Sequence, residues 1–282
     1  MKKIIISILS TVWLSANAFA ETLLVHSPFS KTGNGSSLTR FVTEGLAEKG
    51  WNVDYKITSN CELTKETWEK TKGPMMIVWE GDFMKSQNCN LGKVKRSQFV
   101  QTTFSSAQFI CSVNQKNTDL LFDKTKEAKI GLFKGDMFDK YWAELNKQSQ
   151  TKHKIAYYKN SDEAITALLS GEIDYAWQTG NALMKSGQGD CFINTTNQEA
   201  QGVQPMISIF PNFKYSNMPQ TVWFQAKNIS AKELARLRAD VQDVQKTKKE
   251  FVEWANKKSY IVPFTSVDEQ IKTLETIRVL SK

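Results

Sequence analysis

LLVHSPFSKTGNGSSLTRFVTEGL, residues 23–46, sets an apolar run before a glycine-rich turn and then an amphipathic pattern. Leu38, Phe41, Val42 and Leu46 recur at helical spacing, and Gly50 stands where a helix-ending glycine belongs. The stretch is therefore a strand, a turn and a helix, the unit from which α/β sheets are built. Its turn is not a phosphate loop of the GxxxxGK[ST] kind, and Gly33-Asn34-Gly35 lacks the later glycine of a dinucleotide fingerprint. The physics remains informative. Glycines let backbone amides approach a ligand, Ser36 and Ser37 carry hydroxyls, and a helix N-terminus favours negative charge. Two uses stay open for the serines, ligand donor or plain N-cap.

The unit recurs along the chain, which predicts an α/β protein. Trp51–Ile57 reads as a strand, and PMMIVW, residues 74–79, as a fully apolar one central in a parallel sheet. Phe109–Val113 and Lys129–Phe133 read as strands, Met137–Asn146 as a helix and Lys154–Tyr158 as a strand. Ser161–Ser170 reads as a helix stopped by Gly171, with Ile173–Trp177 the strand after it. Three Ser/Thr-x-x-Glu boxes predict closing helices: Ser230 with Glu233, Thr247 with Glu250, and Ser266 with Glu269.

Lys2 and Lys3, an apolar run from Ile4 to Ala16, and Ala18 and Ala20 follow the order of a secretory signal peptide, with cleavage expected after Ala20. The apolar run is short of the roughly 20 residues that span a bilayer. A periplasmic destination follows. Without the leader the chain keeps 35 basic residues against 29 acidic, a net +6. The lysines are scattered, which argues against nucleic acid. Cys61, Cys89, Cys111 and Cys191 form no CxxC unit, and with His26 and His153 the only histidines no metal site is expected. Two disulfides are expected; sequence alone allows three connectivities, and Cys61 with Cys89 and Cys111 with Cys191 is the one that keeps each bridge inside one domain of the layout given below.

Three further stretches fit a ligand site. Gly135 and Asp136 lie between a strand and the helix that Met137 opens, as the first turn does, with Asp136 an N-cap whose neighbouring amides would face the same crevice if two domains meet there. Gln178, Thr179, Gly180 and Asn181 follow an apolar strand at its carboxyl end, where α/β sheets place ligands. Trp79 and Glu80 stand in the same relation to their own strand, Trp79 as an apolar wall and Glu80 as acceptor for a ligand amine or hydroxyl, or as a cap. Catalytic signatures are absent: there is no GxSxG, no HExxH and no Cys-His pattern. An enzyme using His26, beside the first turn, is the lesser alternative.

In the order of its elements the chain resembles the periplasmic receptors of tripartite tricarboxylate transporters, the Bug family of solute-binding proteins. Pro28, Gly33, Gly35 and Arg40 match the family's first loop and helix. Tyr158, Lys159, Leu168, Leu169, Gly171, Ile173 and Asp174 match its Tyr-Lys-Gly, leucine-rich helix and Gly-x-(Val/Ile)-Asp series, apart from Asn160 in place of a glycine. IFPNFKYSNMPQTVWFQAKNISAKELARL, residues 209–237, is similar to its linker, aromatic strand and terminal helix. The chain departs at Ser36, where relatives carry an acidic residue, and at Gly135-Asp136, where a glycine-serine pair is common.

The resemblance implies a two-domain clamp with a largely parallel sheet in each domain, residues 21–105 plus 206–282 and residues 106–205. It implies a small organic acid in the cleft, held by amides and waters from both halves. Phe29, Ser30, Gly33, Asn34, Gly35, Ser36 and Ser37 would form one half with Trp79 and Glu80, and the two later stretches the other. A monomer without cofactor is expected, delivering its ligand to membrane transporter subunits or presenting it to a sensor kinase.

Overall fold

The structure, a computed structural model, describes residues 21–280 apart from 30, 32–33, 59, 81–93, 114–116, 134–137, 159–160, 180–181, 216–218 and 259. The expected leader, residues 1–20, lies outside the described residues.

Two five-stranded sheets carry the fold. β1 (Leu23–Ser27), β2 (Val53–Ile57), β3 (Met75–Glu80), β4 (Phe99–Ser106) and β10 (Gln220–Lys227) lie in the order β2-β1-β3-β10-β4. β1 pairs in parallel with β2 and β3, whereas β10 runs antiparallel to β3 and β4. β5 (Gln108–Ser112), β6 (Lys129–Phe133), β7 (Lys154–Tyr158), β8 (Tyr175–Thr179) and β9 (Asp190–Asn194) lie in the order β7-β6-β8-β5-β9. Here too, two parallel pairings are followed by two antiparallel ones. Both sheets are thus mixed, with one strand reversed in each.

Among the described residues the helices are α1 (Asn34–Glu48), α2 (Cys61–Lys70), α3 (Asn117–Phe122), α4 (Phe138–Ser149), α5 (Ser161–Leu169), α6 (Ala182–Ser186), α7 (Ala231–Thr247), α8 (Lys249–Lys258) and α9 (Val267–Leu280). α1 forms because Leu38, Val42 and Leu46 make one apolar stripe, fully buried against the first sheet. Gly45 lets α7 approach, since a Cβ there would stand 2.6 Å from both methyls of Val244. Gly50, at φ +81°, takes the left-handed conformation that ends the helix. The Ser230 and Ser266 boxes both close, each serine accepting from the glutamate amide and each glutamate accepting from the serine amide.

Two expectations need correction. Thr247 is the last residue of α7, and its hydroxyl donates to the Asp243 carbonyl, so it caps no following helix. The strand after α5 begins at Tyr175, two residues later than Ile173. The amides of Glu172 and Ile173 are already bonded to the Ala167 carbonyl at the helix exit, so sheet pairing starts only beyond them.

The order β1-α1-β2-α2-β3 recurs as β6-α4-β7-α5-β8. Each edge strand then feeds the other sheet's reversed strand: β4 passes through Ala107 alone into β5, and the chain after β9 returns to β10. On that return Met206, Phe213 and Tyr215 pack into the second sheet's core with Tyr141, Trp142 and Trp177. Cys111 and Cys191 sit opposite each other on β5 and β9 and are joined by a disulfide, as expected. Cys61 is disulfide-bonded, and its expected partner Cys89 lies outside the described residues.

Candidate functional site

The internal repeat puts the sequence candidates into equivalent places. The turn from β1 into α1 corresponds to the turn from β6 into α4, and the end of β3 to the end of β8. These are carboxyl ends of parallel strands, where sheets of this kind hold ligands. Ser30, Gly33, Gly135, Asp136, Met137, Gly180 and Asn181 lie outside the described residues. Of Gln178 and Thr179 the backbone is described: they close β8, with Thr179 opposite Gln108 on β5.

In the first turn, Phe29 is buried and lies across the start of α1. A Cβ on Gly35 would meet its ring at 2.0 Å, so glycine is required by close packing of Phe29. α1 begins at Asn34, which puts Ser36 and Ser37 inside its first turn; neither is an N-cap. Ser36 is 2% exposed, and its hydroxyl lies 2.9 Å from the Ser27 hydroxyl and donates to the Phe29 carbonyl. The group expected to contact ligand therefore braces the loop from within. Tyr55 donates to the Ser36 carbonyl and Thr58 to the Ser27 carbonyl, completing a polar floor. Burial raises the Tyr55 phenol above its ordinary range, against the side chains of Ser36, Ser27 and Thr39 and the charge of Arg40. Asn34 is exposed and Ser37 half-buried.

Trp79 and Glu80 diverge, because successive strand residues point to opposite faces. Trp79 is buried in the first sheet's core and pairs across strands with Trp223. The expected wall is a core residue. Glu80 instead shares its row with Val222 and Phe104. Its carboxylate accepts from the Gln220 amide, whose oxygen accepts from the Gln108 amide at 3.3 Å. Gln220 and Gln108 are the first residues of the two reversed strands. The link therefore runs from the end of β3 to the start of β5, whose Gln108 lies opposite Thr179 at the end of β8.

His26 is 4% exposed, and neither ring nitrogen has a hydrogen-bond partner among the described residues. Burial first, and then Lys56, hold its imidazole below the ordinary range, with Asp54 opposing. Such a histidine is neutral and enclosed in the sheet, a poor position from which to exchange protons with a substrate.

One contributor had no signal in the sequence. Ile261 exchanges both backbone hydrogen bonds with Ser105 on β4, which sets Tyr260 beside that strand. The Tyr260 ring stacks on Phe104 at 4.1 Å, in the Glu80 row. Burial and the Glu80 charge raise its phenol well above the usual tyrosine range, and Asn34 works in the opposite sense. A residue from the far end of the chain thus packs on β4. A separate pocket of about 270 Å³, lined by Gln245, Phe251, Ala255, Tyr260 and Phe264, opens on the helical flank at α7 and α8.

No family model matches the chain, and no curated protein matches it. Solved structures do. MatC from Rhodopseudomonas palustris, with bound malate, aligns over 92% of this chain and 97% of its own at 14% identity and a TM-score of 0.67. R. palustris Rpa4515 with adipate aligns over 93% and 97% at 13% identity and 0.67. The periplasmic binding protein BugD aligns over 93% and 96% at 13% identity and 0.65. These likenesses, together with the paired mixed sheets, give the chain the two-domain α/β fold of TctC- and Bug-type periplasmic binding proteins.

Proposed function

We propose that this protein is a periplasmic solute-binding protein that captures a small organic carboxylate between two domains and delivers it to a membrane transporter. The observation that carries the reading is a fold shared over nearly the whole chain with proteins solved holding malate and adipate. The equivalent turns at both sheets' strand ends support it, since a clamp needs contacts from both halves made together. No helix among the described residues is long and apolar enough to cross a membrane.

In the layout we propose, residues 21–106 and 220–282 form one domain and 107–215 the other. The second crossing is set later than the 205/206 boundary that the resemblance implies, because Met206, Phe213 and Tyr215 pack on the second sheet. Phe29, Asn34, Ser37 and Glu80 act from the first domain; Gly135, Asp136, Met137, Gln178, Thr179, Gly180 and Asn181 act from the second. Ser36 shapes the loop.

The test is thermal denaturation of the purified protein with mono-, di- and tricarboxylates, alongside mass spectrometry of any molecule released when the protein is denatured. A ligand-dependent rise in Tm with at least one carboxylate is expected, because binding the folded state alone stabilises it by about 2.7 kcal/mol at 100 times Kd. No shift with any carboxylate, and a released molecule lacking a carboxyl group, overturn the reading. Turnover of the bound molecule would restore the enzyme alternative.

A further inference from the structure

The cavity beside α7 and α8 lies apart from the strand ends described above. Phe251, Val252 and Ala255 of α8 and Phe264 from the segment after it give an apolar lining, to which Lys246 and Asn256 add polar groups. At about 270 Å³ it falls just short of the ~300–1,000 Å³ usual for small-molecule sites, so its occupant is small. Phe264 is 43% exposed, and Ile261, between the lining residues Tyr260 and Val262, is 68% exposed. Apolar surface therefore runs on from the cavity to solvent. The Lys246 ammonium stands 4.8 Å from the centre of the Phe264 ring. Asp243, one turn earlier, is held by Lys49 at 2.5 Å, and Glu253 of α8 by Lys249, which leaves Lys246 without an ion pair among the described residues. A cation at the edge of an apolar cavity is matched by an anion with an apolar body, and a lining that includes aromatic rings favours an aromatic one.

The lining is also tied to the strand that crosses between domains. Gln245 donates from Nε2 to the Thr103 carbonyl at 3.2 Å, the Tyr260 ring stacks on Phe104, and Ile261 exchanges hydrogen bonds of 2.7 and 2.8 Å with Ser105. All three partners lie at the end of β4, just before Ala107 and β5. We propose that this cavity is a second ligand site, one that takes a small aromatic carboxylate, its ring against Phe251 and Phe264 and its carboxyl group on Lys246, and that occupancy steadies the end of β4. The site is separate from the cleft and does not depend on what the cleft binds.

The experiment takes the purified protein with benzoate as probe and benzamide as its uncharged counterpart, affinities being measured by saturation-transfer NMR. Benzoate binds with a Kd of about 1 mM or tighter, and about threefold or more tighter than benzamide, the worth of one exposed ion pair. Lys246→Gln changes an exposed residue and removes that preference without altering benzamide binding. Ala255→Leu fills the cavity and weakens both probes about tenfold or more. Ala255 is 3% exposed, and if the larger side chain unfolds the protein the Lys246→Gln comparison decides alone. Hydrogen exchange at the Ser105 and Ile261 amides slows when benzoate is bound. Weaker binding or a smaller preference overturns the inference. So does benzoate affinity that survives either substitution in a folded protein, the result if the probe occupies the cleft instead; the carboxylate reading then stands. Bound benzoate that leaves both amides exchanging as before also overturns it.

Discussion

The two sheets share one plan and hold it by different means. Both run through two parallel pairings and then two antiparallel ones, and both set a strand-to-helix connection beside a neighbouring strand end. The first sheet is covered by long helices, 15 residues in α1 and 17 in α7, clustered with the aromatic rings of Phe41, Phe104, Phe251, Trp254 and Tyr260. The second is covered by α4, α5 and α6, of 12, 9 and 5 residues, and carries a disulfide across its reversed and edge strands. Tyr141, Trp142 and Leu145 of α4 are fully buried on that sheet, and the disulfide adds a covalent tie to their burial. Cys61 on α2, beside the first sheet, is disulfide-bonded as well, so the contrast lies in placement: in the second half the bridge ties two neighbouring strands of the sheet itself.

The largest test of that contrast is to remove the staple. Cys111 and Cys191 are 80 residues apart, so Cys111→Ser with Cys191→Ser should cost about 4–5 kcal/mol in the chain-entropy account. Urea unfolding should show the loss, with fluorescence from Trp142 and Trp177 moving before the first-sheet signal. A single unchanged transition would mean that the two sheets do not differ as described.

A smaller effect should appear at the glycines of the two halves. Gly35→Ala drives a methyl into the Phe29 ring and should destabilise by about 2 kcal/mol, the clash outweighing the roughly 1 kcal/mol gained in helix propensity. At Gly131 on β6 the nearest atom is the terminal methyl of Ile173, which can swing aside, so Gly131→Ala should cost about 1 kcal/mol or less. Comparison of the two denaturation midpoints checks the order, and the reverse order refutes the packing argument.

Between the sheets, a double-mutant cycle on Gln108→Ala and Gln220→Ala should give a coupling of about 0.5–1.5 kcal/mol, the worth of one neutral hydrogen bond. Zero coupling would remove the link from the account of the crossing. The slightest effect concerns His26. Its folded-state pKa is depressed, so the unfolded chain takes up the proton first; this contribution is full above the ordinary 6.5 and is lost as pH falls toward the folded value. His26→Leu should therefore flatten the fall in stability between pH 7.5 and 5.5, and an equal slope in both proteins would show that other groups set it.

Much of the architecture was legible because it is local. Leu38, Val42 and Leu46 announce α1 by spacing, Gly50 ends it by conformation, and the Ser230 box starts α7 by hydrogen bonds three residues apart. β4, FVQTTFSS, was not legible, because its polar residues are buried against distant partners. Gln101 donates to Pro263, Thr103 to Val222, and the Thr102 amide to Gln270. An apolar pattern cannot reveal a strand whose polar groups are satisfied by residues more than a hundred positions away.

The sequence by itself determined the α/β class, the strand-turn-helix units and the positions of the candidate turns, since periodicity, capping and glycine geometry act over a few residues. Tertiary structure alone decided which way the side chains on those turns face. It turned Ser36 inward to Ser27, put Trp79 into the core, joined Glu80 to Gln108 through Gln220, and stacked Tyr260 on Phe104. Those outcomes depend on strand pairing and chain crossings, which set the distance between residues remote in sequence and which no local interaction encodes.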